Sequence, residues 1–166
     1  MVEGLILAWG AATLRSATPL LLTLIGETLT QRAGIVNLGV EGQMLAGAVV
    51  GFAVAATHND PALAMLAGAL AGMTLSSAHA LLCIGFRANQ LGSGIAVWML
   101  GLGISSYYGR TFIGKQTETF APLLGMSPMV WLAVVLAPLA GLWLYHTRPG
   151  LAWRAVGESV DNAQAL

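Results

Sequence analysis

Five long apolar stretches constrain the fold of this chain more than any other feature of its sequence. The longest, residues 61–86, contains no Asp, Glu, Lys or Arg. A helix of about 20 mostly apolar residues crosses the hydrocarbon core of a bilayer, and the five stretches approach or exceed that length. We predict transmembrane helices over residues 4–26, 42–56, 61–86, 91–109 and 129–145.

The scarcity of charge leads to the same fold class. Charged residues make up 8% of the chain and hydrophobic residues 57%, whereas a soluble domain carries about 25% charged residues. This small number of charges cannot cover the surface of a folded chain in water. We therefore predict an all-α, polytopic transmembrane helix bundle that is surrounded by the lipid bilayer. The basic residues are scattered singly, which argues against a nucleic-acid partner. The single cysteine, Cys83, excludes a disulfide within the chain.

The connections between the predicted spans carry most of the charged residues. The stretch 27–43 is polar and contains glycine, and we expect a short re-entrant or interfacial element there. With five spans, one side of the membrane holds four arginines and the other holds Arg110 and Lys115. The positive-inside rule assigns the first side to the cytoplasm. Its arginines are Arg32, Arg87, Arg148 and Arg154.

Small residues recur at every fourth position in two of the predicted spans. Because lipid provides little hydrophobic drive between helices, small residues that let backbones approach closely promote helix packing. We therefore predict tight helix–helix seams along these rows. The second span contributes Gly47, Gly51 and Ala55, and the third contributes Ala64, Gly68, Gly72, Ser76 and Ala80.

Two polar residues within predicted spans have more than one interpretation. Arg15 either reaches the interface or pairs with a buried carboxylate or helix-end carbonyls, or it lines a polar pathway. His79 is interpreted as a neutral histidine satisfied by a neighbouring helix. We predict no metal site around it.

Asn37 and Glu41 are four residues apart, so a helix would place them on one face. One interpretation is a polar interfacial segment with a helix cap. The other is a broken element that lines a translocation path, where non-helical backbone is tolerated at membrane depth. We name Asn37, Glu41 and Asn89 as candidate path residues.

Three stretches together resemble a known family. They are residues 17–52, which contain RAGIVNLGVEG, residues 86–107, which begin FRANQLGSG, and residues 147–166, which begin TRPGLAWRAVGE. Their order and spacing resemble the permease subunits of bacterial ABC importers that serve simple sugars, nucleosides and branched-chain amino acids. The first phrase is most similar to the nucleoside-type permeases.

The resemblance implies a cytoplasmic coupling segment over residues 148–166 that docks on an ATP-hydrolysing subunit. Gly157 would permit a tight turn between short helices, and Trp153 and Val156 would offer an apolar face to the partner. Arg154 and Glu158, four apart, would form an ion pair or contact the partner. The chain departs from the family at Ser159-Val160, where Asn-Pro is common. The predicted coupling residues are Arg154, Ala155, Val156, Gly157 and Glu158.

The resemblance also implies partners and a location. We expect a separate ABC ATPase that binds the ATP, a second permease subunit in a homo- or heterodimer, and an extracytoplasmic substrate-binding protein. The chain itself would carry no cofactor and would lie in the bacterial inner membrane. Family members are close to twice this length, so we expect a fragment with a permease region over residues 1–147 and a truncated coupling segment over residues 148–166.

The sequence thus favours the membrane permease subunit of an ATP-driven importer for nucleosides or simple sugars, without catalytic residues of its own. Two alternatives stay open. One is an ion- or proton-coupled carrier or channel, and the other is a non-transporting membrane scaffold. The carrier would use Arg15, Glu27, Glu41 and His79.

Overall fold

The computed structural model describes residues 2–159, and within that range the chain is a set of helices without named strands. The predicted all-α fold is confirmed. A π-helical turn, Leu81–Gly85, extends α3, and a short 3₁₀ helix, Arg110–Phe112, follows α4. The helices are α1 Val2–Arg32, α2 Val40–His58, α3 Pro61–Ala80, α4 Gln90–Gly109, α5 Pro128–His146 and α6 Arg148–Glu158.

Four of these helices are long and apolar enough to cross a membrane: α1, α2, α3 with its π turn, and α5. The predicted fourth span does form a helix at the expected place, α4, over 20 residues. Its five glycines, three serines and two tyrosines lower its mean hydropathy, so length and composition alone do not identify it as a span.

The boundary between α2 and α3 shows how local sequence ends one helix and begins the next. Asn59 adopts a left-handed conformation (φ 51°) and closes α2. The Asp60 carboxylate then accepts hydrogen bonds from the backbone N–H groups of Ala62 and Leu63, and Pro61 occupies the first helical turn. The break that we predicted between the second and third spans is found here, over the sequence HNDP (residues 58–61).

Helix α1 is longer than predicted. It continues through Glu27 to Arg32, so only residues 33–39 of the predicted polar stretch are non-helical. Pro19 lies inside the helix without ending it. On each side of this proline a threonine hydroxyl donates a hydrogen bond to a carbonyl of the preceding turn. Thr18 donates to Leu14 O and Thr23 donates to Pro19 O, and both distances are 2.7 Å.

The chain divides into two compact units, and the first comprises residues 1–34 and 121–166. Within it α1 and α5 run in the same direction. The Arg15 guanidinium donates to Gly125 O (3.3 Å) just before α5 begins, while Arg32 lies over the ring of Tyr145 near the end of α5.

Arg15, which we placed inside the first predicted span, is exposed and lies level with the residues that precede α5. The expectation of a carbonyl partner is met by Gly125, which belongs to a loop rather than to a helix end.

The second unit, residues 35–120, contains α2, α3 and α4. Helix α3 is antiparallel to α2, because a Cβ at Gly47 would lie 2.9 Å from Gly68 O and one at Gly51 would lie 3.0 Å from Ala64 O. Helix α4 is parallel to α2 and approaches it closely as well, since a Cβ at Gly42 would lie 2.6 Å from the Trp98 Cα. Backbone contact through glycine thus holds α2 against both neighbours.

Candidate functional site

A buried polar cluster lies at the start of α2. The Gln43 side-chain oxygen accepts hydrogen bonds from Asn37 Nδ2 (3.1 Å) and from Ser76 Oγ of α3 (2.9 Å). Asn37 Oδ1 in turn accepts from the backbone N–H of Gly39 (2.9 Å) and shapes the turn into α2. Asn37 and Gln43 are both more than nine-tenths buried. The cluster ties the non-helical segment before α2 to the side of α3.

One donor of this cluster is unsatisfied. Gln43 Nε2 is buried and has no hydrogen-bond partner among the described residues. A buried amide N–H without a partner costs about 1–3 kcal/mol. The group is therefore a position where a water molecule or a polar solute would gain a hydrogen bond that the chain does not supply.

A second polar cluster joins the end of α3 to α4. Ser93 Oγ lies 3.3 Å from His79 Nδ1 and 3.1 Å from Cys83 Sγ, and the thiol lies 3.6 Å from His79 Nε2. Cys83 sits in the π-helical turn Leu81–Gly85, a geometry that often occurs at functional positions. His79 is 3% exposed, and its neighbour on another helix is Ser93. Its interpretation as a histidine satisfied by a neighbouring helix agrees with this geometry.

The three candidate path residues occupy different surroundings. Asn37 is buried, whereas Glu41 is exposed and accepts a hydrogen bond from Trp98 Nε1 of α4 (3.1 Å). Asn37 precedes α2, so the two residues do not share a helix face. The Asn37 side chain instead accepts a hydrogen bond within the non-helical turn that leads into α2. Asn89 is the N-cap of α4 and accepts from the Gly92 N–H (3.0 Å).

The predicted coupling segment forms α6 as far as Glu158, and residues 160–166 lie outside the described part of the chain. Trp153 anchors α6 on its unit. Its indole N–H donates to Leu29 O of α1 (2.7 Å), and its ring packs edge-on against Trp143 of α5, with centroids 5.9 Å apart. Trp153 therefore makes contacts within the chain, but it remains 42% exposed and Val156 is 45% exposed, so both residues still present apolar surface.

Gly157 is needed for close approach rather than for the expected turn. It lies within α6, and a Cβ there would meet the Arg32 carbonyl oxygen and come within 3.0 Å of the Gly34 nitrogen. Gly150 has the same relation to the end of α5, where a Cβ would meet the carbonyl oxygens of Trp143 and Leu144. Both ends of α6 thus rest on backbone of the first unit.

Arg154 does not pair with Glu158 in the described residues. Its guanidinium lies over the ring of Tyr145, 5.0 Å from the centroid, because the side chain turns towards α5. Its Nε atom is buried without a hydrogen-bond partner in that part of the chain. Glu158 and Val156 are exposed, whereas Ala155 is half-buried.

The predicted packing residues lie between α2 and α3. Gly47 and Gly68 oppose each other, Gly51 faces Gly68 and Ala64, and a Cβ at Gly72 would lie 3.8 Å from Gln43 O. Ser76 adds a side-chain hydrogen bond to the same contact. Sequence reasoning missed Gln43, Ser93, Trp98 and Tyr145. Of these four, only Gln43 could have been identified from the sequence, because it is an amide next to an apolar stretch.

Metal ligation has no candidate group in the described residues: no cluster of three or more His, Cys, Asp or Glu side chains occurs there.

Together, the apolar helices, the buried polar clusters between them and the amphipathic helix packed at the end of α5 are the features of a multi-pass membrane protein. Residues 11–166 match the family described as the branched-chain amino acid transport system, permease component. The chain belongs to this family, whose members are transmembrane subunits of transport systems.

Curated relatives carry names from ABC transport. The chain is 35% identical to the putative glucose ABC transporter permease protein TsgC13 of Haloferax volcanii, over 93% of this chain and 53% of the relative. It is 36% identical to the guanosine ABC transporter permease protein NupQ of Bacillus subtilis (93% and 57%) and 33% identical to the nucleoside ABC transporter permease protein NupC of Lactococcus lactis (90% and 56%). The chain spans about half the length of these relatives. No solved structure matches it.

Proposed function

We propose that this chain is the membrane permease part of an ATP-driven ABC importer, with nucleosides as the favoured solute and simple sugars next. The observation that carries the proposal is the family match over residues 11–166. The names of the relatives, two nucleoside-type permeases and one putative glucose permease, support the two solute classes. The relatives are about twice as long, so the proposal concerns the intact protein.

In this proposal α6 couples the bundle to a separate ATPase subunit that binds the ATP. The helix is seated on α1 and α5 through Trp153 and Gly157, while Val156 and Glu158 face outward. A partner that moves Val156 and Glu158 would displace the ends of both spans, because the Trp153–Leu29 hydrogen bond and the backbone contacts leave α6 little freedom. Arg154, Ala155, Val156, Gly157 and Glu158 are the proposed coupling residues.

Asn37, Glu41 and Asn89 remain the proposed residues that line or shape the path, and Gln43 joins them. Nucleosides and sugars carry hydroxyl and carbonyl groups, which suit buried amide donors such as Gln43 Nε2. A second permease subunit, homo- or heterodimeric, and an extracytoplasmic substrate-binding protein complete the proposed importer.

Uptake by the reconstituted importer tests the proposal. The intact protein is placed in proteoliposomes with its ATPase and binding protein, and ATP-dependent accumulation of labelled guanosine, glucose and leucine is measured. We expect Glu158→Lys to reduce uptake and solute-stimulated ATP hydrolysis at least tenfold. Glu118→Lys is the matched control, because Glu118 is an exposed carboxylate outside α6, and it should leave both rates unchanged.

The same assay separates the alternatives. Uptake that continues without the ATPase and follows a proton gradient would identify a coupled carrier. A folded protein that retains its partners but moves none of the three solutes would support a scaffold.

A further inference from the structure

The guanidinium groups of two arginines lie close to one aromatic ring at the end of α5. The guanidinium carbons of Arg32 and Arg154 lie 5.8 and 5.0 Å from the centroid of the Tyr145 ring. The two charges are therefore within about 11 Å of each other, the sum of these distances. A ring attracts cations through its negative face, but it leaves the positive charge of both groups uncompensated.

No carboxylate neutralises this pair within residues 2–159, and Arg154 Nε is buried with no hydrogen-bond acceptor there. A buried donor on a charged group is costly to leave unsatisfied. The two guanidinium groups thus form a positively charged place beside Tyr145.

An apolar groove leads away from the same tyrosine. It runs between α1 and α5, has a volume of about 210 Å³, and is lined by α1 side chains between positions 21 and 29 and by α5 residues between 137 and 145, with Tyr145 at its end. The lining is mostly aliphatic, and the hydroxyl of Thr28 is already bonded to Leu24 O. The groove offers an acyl chain apolar contact and no competing polar group.

Charge and groove together fit one kind of ligand. We propose that Arg32, Arg154 and Tyr145, with the groove between α1 and α5, bind an anionic phospholipid, its phosphate at the two guanidinium groups and one acyl chain along the groove. Basic pockets between transmembrane helices on the cytoplasmic side are typical sites for anionic head groups. The pair lies at the arginine-rich end of the first unit, which the positive-inside rule assigns to the cytoplasm.

The amphipathic ligand is what distinguishes this site from an interface with a protein carboxylate. A carboxylate on a soluble partner would satisfy Arg154 but would leave the groove empty. A phospholipid satisfies both, because its charge and its chain are joined at the depth where Tyr145 separates guanidinium from aliphatic surface. The inference is independent of the proposed transport function.

Lipid retention by the intact protein tests the site. Protein in mixed micelles of phosphatidylglycerol and phosphatidylcholine is analysed by native mass spectrometry, with no transport measurement involved. We expect selective retention of phosphatidylglycerol. The double variant Arg32→Gln, Arg154→Gln should lower this retention about thirty-fold, from about one kcal/mol per basic residue near an anionic head group.

A groove variant examines the acyl chain separately. Gly141→Leu should fill the groove and reduce retention at least tenfold with both arginines intact, because Gly141 lines the groove and no heavy atom lies within 4 Å of a Cβ placed there. Gly103→Leu is the control at an equally open glycine, and Arg110→Gln is the control for charge. Both should bind as the unchanged protein does.

Three outcomes overturn the proposal. They are equal retention of the two lipids, unchanged retention in the double arginine variant, and sensitivity to the arginines without sensitivity to Gly141→Leu. A photo-reactive residue at position 141 gives a further check: a cross-link to lipid supports the site, and a cross-link to protein overturns it. Circular dichroism and gel filtration of each variant establish that lost retention does not reflect lost folding.

Discussion

Replacing Gly101 by alanine tests the contact between α2 and α4. A Cβ built at Gly101 lands on the Gly42 backbone, 2.6 Å from its Cα, where ordinary contact begins at 3.4 Å. Backbone atoms cannot rotate away, so the helices must separate by about 1 Å. Overpacking of this kind costs about 1–3 kcal/mol, and the higher helix propensity of alanine returns up to about 1 kcal/mol. We expect a net loss of about 1–2 kcal/mol in the free energy of unfolding.

The matched control is Gly103→Ala, two residues along the same helix. No heavy atom lies within 4 Å of a Cβ at Gly103, so only the propensity gain acts there, up to about 1 kcal/mol of stabilisation. Both variants make the same glycine-to-alanine change in α4, and they differ only in whether the added methyl group meets a neighbouring helix.

Cys83 provides the assay for both variants. It is the only cysteine in the chain, and its thiol packs against Ser93 of α4, so a thiol-reactive dye reports the separation of α3 from α4 on heating. One kcal/mol corresponds to about 2–4 °C in a chain of this size, which gives a fall of about 2–8 °C for Gly101→Ala. A melting temperature for Gly101→Ala equal to or above that of Gly103→Ala would refute the close-contact argument.

Three further substitutions probe the other contacts. Trp153→Phe keeps an aromatic side chain but loses the indole N–H and its hydrogen bond to Leu29 O. We expect α6 to be held about 1 kcal/mol more weakly, measured as faster proteolysis at Arg154, and an unchanged rate would contradict this. Gln43→Leu removes the acceptor of two side chains and should cost about 1–3 kcal/mol in dye-monitored melting, with no change if the cluster contributes nothing. Gly68→Leu drives a side chain into Gly47 O and should abolish stable folding in detergent, seen as aggregation in gel filtration.

Hydropathy and the residues that end or begin helices predicted the helices well, because both act through neighbours along the chain. The HNDP turn contains its own left-handed residue, cap and proline, so the facing ends of α2 and α3 were predicted within two residues. The end of α1 was missed, because Glu27–Arg32 is polar yet remains helical. Its side chains support one another, as when Gln31 Nε2 donates to Glu27 Oε1 (2.9 Å).

The candidate site was less predictable because it depends on contacts between helices. Arg154 was expected either to pair with Glu158, four residues away, or to contact a partner, and its guanidinium lies over the ring of Tyr145 on a different helix. Gly157 was assigned to a turn because glycine permits one, whereas the nearby backbone of Arg32 and Gly34 is what requires it. Spacing along one helix cannot report a neighbour whose position depends on tertiary packing.

The glycine row and the polar cluster nevertheless share one cause. The close approach of Gly47 to Gly68, and of Gly51 to Ala64, sets the antiparallel register of α2 and α3. One turn before Gly47 on α2 stands Gln43, and in this register it comes opposite Gly72 and within hydrogen-bond distance of Ser76. A seam that allowed another register would carry Gln43 away from Ser76 and leave both polar groups unpaired in a membrane that offers no replacement. The small residues therefore specify which polar groups meet, in addition to how closely the helices pack.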